Sequence, residues 1–195
     1  MIATPQSENT VNLSRQLLVA MPGKVMGSLA NTVIYVCEHT DQGALGLVIN
    51  RPTDLTVGDL LKRLDLPLSL EIGPREQAPV FFGGPVQTDR GFVLHMPAHG
   101  YGSSIQLGDI ALTTSRDVLQ DVADGKGPEH MLVTLGYAGW GAGQLEDELS
   151  QNAWLHVDAS HHILFDLEPE KRYEAALAQL GIDNPIMLSG EAGHA

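Results

Sequence analysis

The chain has 195 residues, 43% of them hydrophobic, enough to bury roughly 70% of the unfolded surface in one core, so a single domain is expected. Lys and Arg number 11 against 24 Asp and Glu, a formal net charge of −13, and only 3 basic residues face 13 acidic ones after position 120. That balance opposes a phosphate backbone and disfavours duplex DNA as a partner, while a single cysteine excludes an internal disulfide and any cysteine cluster of zinc-ligand spacing.

Residues 1–12 are polar and aperiodic and read as a flexible N-terminus, without the basic and apolar regions of a leader. No run approaches the ~20 apolar residues that span a bilayer, so a cytoplasmic protein without membrane contact is expected. One ordered domain then runs over 13–188, and 189–195 reads as a second flexible tail. β-Branched and aromatic runs predict strands over 16–21, 32–37 and 44–49. Thr56, with Asp59 three residues on, caps a first helix carrying Val57, Leu60, Leu61 and Leu64 on one face. Strands over 79–82, 91–96 and 109–113 follow, with Asp89-Arg90-Gly91 read as a hairpin turn. Ser115 is the expected cap of a second helix that bears Val118, Leu119 and Val122 and stops at Gly125. A strand over 130–135 feeds a glycine-paved turn and a third helix from about Gly143, with Leu145 and Leu149 inward. Strands over 154–157 and 162–165 precede a fourth helix, which starts at Pro169, carries Tyr173, Ala176, Leu177 and Leu180, and ends at Gly181. Strands and helices do not alternate regularly, which predicts an α+β fold with mixed or antiparallel sheets.

The stretch Gly136-Tyr-Ala-Gly-Trp-Gly-Ala-Gly-Gln-Leu145, together with Met21-Pro22-Gly23, Gly43-Ala-Leu-Gly-Leu-Val-Ile-Asn-Arg-Pro52 and Phe82-Gly-Gly-Pro-Val86, resembles the bacterial YqgE/AlgH family. The resemblance extends from Leu17 to the region of Asp183. It implies a single domain of coiled, bifurcated mixed β-sheets flanked by about four helices. Members are often labelled transcriptional regulators, and the family supplies no catalytic residue to carry over. After Met21-Pro22-Gly23, relatives tend to have an acid and then a phenylalanine where this chain has Met26 and Leu29.

Three groups of residues invite a site. Gly139-Trp-Gly-Ala-Gly143 lies between a strand and a helix, where backbone N–H groups bind phosphate, but it holds no Lys or Arg and Glu146, Asp147 and Glu148 follow at once. Either its glycines permit close backbone packing with Trp140 as a core plug, or Tyr137, Gly139, Trp140, Gly143 and Gln144 line a small-ligand site. Asn50-Arg51-Pro52 and Phe82-Gly83-Gly84-Pro85 end two strands and can meet that turn, which makes Arg51 the candidate anion holder, unless it only pairs with a surface acid. Cys37 and His39, two apart on a strand end, point the same way and are a conceivable thiol and base; a buried inert cysteine on the alternating face of Val33 and Tyr35 is the alternative.

His95 and His99 flank Pro97, and His161-His162 falls in a turn, so no metal is expected. No complete catalytic motif occurs, so no catalytic residue and no cofactor is assigned. The preferred reading is a non-enzymatic binding or regulatory module acting through a protein partner or a small ligand at Asn50, Arg51, Gly83, Gly84 and the Trp140 turn. The alternatives are an enzyme on a small anionic substrate, with Arg51 orienting and His95 or His39 as acid/base, and a DNA-binding regulator, which the charge disfavours.

Overall fold

The computed structural model describes residues 11–98 and 100–182, so the expectations for the tails at 1–10 and 189–195 and for His99 lie outside the described residues. Its strands are β1 (Gln16–Ala20), β2 (Val33–Thr40), β3 (Gly43–Val48), β4 (Pro52–Thr56), β5 (Pro79–Phe82), β6 (Val86–Met96), β7 (Ser104–Leu107), β8 (Ile110–Thr113), β9 (His130–Gly141) and β10 (Trp154–Asp158). The α-helices are α1 (Val57–Arg63), α2 (Arg116–Ala123), α3 (Gln144–Ser150) and α4 (Pro169–Gln179), with 3₁₀ turns at Gly27–Leu29 and Leu70–Gln77. This is the expected α+β architecture.

The sheet follows the order β10-β1-β2-β3-β9-β6-β8-β7, and β5 pairs with β9 in parallel and with β4 antiparallel. The long strand β9 makes the branch. Its residues 130–135 pair with β6 and, at Thr134 and Leu135, with β5; its residues 138–141 pair with β3. One strand thereby belongs to both leaves of a bifurcated sheet.

Alternation of side chains sends apolar residues to both faces of each leaf, and three cores result. Between the leaves lie Leu17, Tyr35 and Leu47 from one and Phe92, Leu112 and Leu132 from the other, closed by Ile163, Leu164 and Leu177. Outside the β5–β6–β9 leaf, α1 and α2 cover Val80, Val93 and Val133; outside the β1–β2–β3 leaf, Leu145 of α3 packs with Ile34, Val48 and Trp140. The predicted capping box of α1 is present: Asp59 N–H donates to Thr56 Oγ1 at 3.1 Å, and Thr56 N–H donates back to Asp59 Oδ2 at 3.2 Å.

Several sequence expectations need correction. The strand expected over 162–165 is a single π-helical turn, His162–Asp166. A strand would place the consecutive Ile163 and Leu164 on opposite faces, whereas the turn puts both in the central core. Asp89-Arg90-Gly91 is no hairpin turn, because β6 runs through it with an irregularity between Val86 and Gly91 and a positive φ of 45° at Gln87. Ser115 makes no cap bond to the helix; its hydroxyl donates to Asp117 instead, whose carboxylate accepts from Gly102 N–H at 2.7 Å. The glycine-paved stretch is extended strand as far as Gly141 rather than a turn from 136. β4, a polar edge strand, lacked the apolar alternation that reveals a strand, and β7, Ser-Ile-Gln-Leu, alternates over only four residues.

Candidate functional site

The three glycine- and proline-bearing segments do meet, but as a junction of backbones. Phe82 N–H donates to Arg51 O, Val48 N–H to Gly83 O and Gly83 N–H to Leu135 O, each at 2.8 Å. A Cβ on Gly84 would lie 2.1 Å from the Tyr137 carbonyl carbon, and one on Gly136 would lie 2.3 Å from Gly84 O. Close approach is thus what these glycines provide.

The side chains leave the junction. Asn50 accepts from Val33 N–H at 2.9 Å and donates to Asn31 O at 3.0 Å, while the Arg51 guanidinium donates to Ala30 O. Both therefore brace the turn before β2. Gly143, at φ 75°, precedes α3, and Gln144 Oε1 accepts from Gly141 N–H at 3.0 Å. Trp140 is 6% exposed and meets Trp154 edge-on at 5.9 Å between centroids. Tyr137, Gly139 and Trp140 do share an open cleft of about 450 Å³ with Glu38, Thr40 and Gln42, but Arg51 does not line it. His95 is buried elsewhere, its Nε2 2.7 Å from the Thr113 hydroxyl and its Nδ1 3.0 Å from Pro97 O. Arg51 and His95 are not brought to one site, which corrects the roles paired for them from sequence.

Cys37 and His39 are also separated, because β2 shifts register against β3 between Val36 and Glu38. The extra residue at this bulge breaks alternation, so Cys37 enters the central core while His39 turns to Leu13 on the other face. Burial pushes the Cys37 thiol far above its ordinary range, with Glu38 adding to the effect. Iodoacetamide should label this cysteine about 100-fold or more slowly in native protein than in denaturant, because the thiolate is the nucleophile. Comparable rates in mass-spectrometric labelling would contradict its burial.

His39 Nδ1 accepts from Leu13 N–H at 3.1 Å, which assigns the proton to Nε2, 2.5 Å from Glu146 Oε1. Backbone hydrogen bonding at Glu146 holds its carboxyl below the ordinary value, and His39 lowers it further. A depressed folded-state pKa contributes stability above the unfolded value near 4.5 and loses it as pH falls through the folded one. Glu146→Gln should accordingly show a shallower drop in urea midpoint between pH 6 and pH 3 than the parent chain. An equal drop would remove Glu146 from the acid response.

A second cleft, of about 460 Å³, opens at the mouth of the central core between the start of β1, the β7–β8 turn and the end of β10. Tyr35 lies beneath it, 1% exposed, and its hydroxyl makes no hydrogen bond among the described residues. Burial, and next the neighbouring Cys37, push the phenol above its ordinary pKa, Arg15 pulls the other way, and Asp109 adds to the rise. The group is a proton donor at any physiological pH. Arg15 sits in left-handed backbone at φ 69°, with its N–H donating to Val36 O at 2.7 Å; among the described residues its guanidinium has no ion-pair partner. Across the opening, His161 Nε2 and Asp109 Oδ2 are 3.0 Å apart.

Two unpaired donors, one cationic, can grip an oxyanion from two directions. Of the hydroxyls and bases lining the cleft, Ser14 Oγ accepts from His39 N–H at 3.0 Å and has no hydrogen bond to His161, so no nucleophile–base pair is assembled there. Sequence reasoning missed this cleft. Gly108-Asp109 was a readable two-residue hairpin turn, but nothing local ties it to Tyr35 or His161. Among the described residues no group of three His, Cys, Asp or Glu is placed to hold a metal, and no helix is long and apolar enough to cross a membrane.

A family model described as AlgH-like matches residues 17–185. The chain belongs to the AlgH-like family. It is 69% identical over 188 residues to a UPF0301 protein of Bordetella pertussis, covering 96% of this chain and 92% of that one. Identity to a UPF0301 protein of Paraburkholderia phymatum is 56% over 193 residues, with 98% and 100% covered. The solution structure of the AlgH protein from Pseudomonas aeruginosa superposes with a TM-score of 0.77 at 49% identity, covering 98% of this chain and 100% of that one. The crystal structure of a Corynebacterium diphtheriae protein, at 18% identity, TM-score 0.61 and coverage of 80% and 83%, shares the fold. The AlgH-like assignment agrees with the bifurcated sheet and carries no reaction with it.

Proposed function

We propose that this AlgH-like chain is a cytoplasmic, non-enzymatic binding module whose mouth cleft takes a small molecule bearing a carboxylate or phosphate group. The observation that carries this reading is the hydroxyl of the buried Tyr35, without a hydrogen-bond partner among the described residues, beside the unpaired Arg15. That hydroxyl opens on the cleft as a free donor, and an oxyanion held between it and the Arg15 guanidinium would receive one neutral and one charge-assisted hydrogen bond. The His161–Asp109 pair favours the second reading, an enzyme on a small anionic substrate, because a histidine oriented by a carboxylate is how a general base is built. Duplex DNA is not the proposed partner: the net charge of −13 repels it, and the cleft offers a single guanidinium.

Titration of ¹⁵N-labelled protein with a panel of small carboxylates and phosphate monoesters tests the proposal. Binding should move resonances of Arg15, Tyr35, Gly108 and His161, and Arg15→Ala should weaken it by about 10-fold or more, which is ~1.4 kcal/mol. If no member perturbs these residues, or Arg15→Ala binds equally well, the site is misassigned. Chemical conversion of a bound member, lost in His161→Ala, would favour the enzyme.

A further inference from the structure

Arg172 on α4 is the one Lys or Arg among the described residues that the fold withdraws from water, at 4% exposure. Its Nε donates to Leu167 O at 3.0 Å and its Nη1 to Ile49 O at 2.5 Å, and the guanidinium lies 5.2 Å from the centre of the Phe81 ring. Those bonds tie the end of β3 to the segment before α4, which is a structural role. They do not neutralise the charge. Among the described residues no carboxylate lies within 4.0 Å of the guanidinium, and Nη2 has no hydrogen-bond partner.

A buried cation without a counter-ion is destabilising unless something else supplies the negative charge. Burial pushes the guanidinium down to about 10, and Glu168, exposed on the rim, partly opposes this, so the group is charged at neutral pH. Arg172, with Asp166 and Glu168 on the rim, forms the polar end of a pocket of about 240 Å³ whose walls include Phe81, Met131, Val133 and Phe165. Pro169, the first residue of the 11-residue α4, stands on the same rim, so the positive end of a helix also faces the opening. The π-helical turn His162–Asp166 supplies Phe165 to the wall, and such turns recur at functional sites.

We propose that this pocket is a second binding site, for a short amphiphilic monocarboxylate whose head group pairs with Arg172 and whose apolar tail lies between Phe81, Met131 and Phe165. The volume is below the ~300 Å³ at which drug-sized ligand sites begin, which limits the tail to a short chain. The site stands apart from the mouth cleft, with which it shares no lining residue.

The test uses the intact chain and hexanoate, with acetate as an anion lacking the tail and hexanol as a tail lacking the charge. In ¹H–¹⁵N spectra, hexanoate should produce a saturable shift of the Arg172 Nε–H and of the Phe165 and Met131 amides, with an affinity about 10-fold or more above either control. Arg172→Gln should abolish it. If that variant fails to fold, Phe165→Ala should weaken hexanoate while leaving any weak acetate response unchanged. No response of the parent chain to hexanoate at tens of millimolar, equal responses to hexanoate and hexanol or acetate, or shifts confined to Arg15 and the mouth would each overturn the proposal.

Discussion

Replacing Trp140 by alanine should lower stability by about 3–5 kcal/mol, the loss typical of emptying a large aromatic site in a core. The side chain is buried in the layer outside the β1–β2–β3 leaf, where it meets Trp154 edge-on and shares its cluster with Leu145 of α3 and Ile34 and Val48 of the sheet. Its neighbours are held by pairing of β2, β3 and β9, so they cannot collapse into the space. At roughly 2–4 °C per kcal/mol for a chain of this size, the melting temperature should fall by about 10 °C. Calorimetry or urea unfolding measures this directly. A variant melting within a degree or two of the parent would mean that Trp140 belongs functionally to the cleft it borders with Tyr137 and Gly139.

Gly136→Ala should be worse than its single methyl group suggests, with a loss above about 3 kcal/mol. The glycine lies at φ 79°, and its added Cβ would sit 2.3 Å from Gly84 O, a backbone atom in the crossing where Gly83 is bonded to both β3 and β9. Neither side can yield without pulling one leaf off the other. Gly23→Ala is the control: its φ of 76° is equally unfavourable for a side chain, yet nothing lies within 4 Å of the new Cβ. That variant should lose only the ~1–2 kcal/mol of left-handed backbone. Equal losses for the two would show that dihedral preference, not close approach, explains the glycine-paved junction.

Much of the fold was legible because local chemistry and tertiary environment agree. Thr56 and Asp59 cap α1 as read, Pro169 opens α4, and the apolar runs of β1, β3 and β5 lie within a residue or so of expectation. The branching of the sheet followed from family resemblance, since no periodicity says that one strand serves two leaves. The failures share a cause. At Cys37 a bulge reverses the faces that strict alternation assigns, and at Ile163-Leu164 two neighbouring apolar residues read as a buried strand when one irregular turn buries both.

The sites were harder still. Arg15, Tyr35, Asp109 and His161 gather only because β1, β2, the β7–β8 turn and the end of β10 converge, and each looks ordinary in its own stretch. Arg172 is a different case, visible in principle. It lies one helical turn before Ala176 on the inward stripe of α4, but Glu170-Lys171-Arg172 reads by charge as a solvated face.

The shared strand also imposes an order on biosynthesis. β5 pairs only with β4 and β9, β6 takes β9 along most of its length, and β3 waits for the far end of that strand, so neither leaf is complete until residue 141 has left the ribosome. Well over half of the polypeptide must emerge with open strand edges before its closing partner exists, and unpaired edges are where chains stick to one another. Growth from the N-terminus therefore cannot finish one leaf while making the next: strand edges stay open through most of translation until β9 joins the two leaves, and the β1 edge waits longer still, for β10.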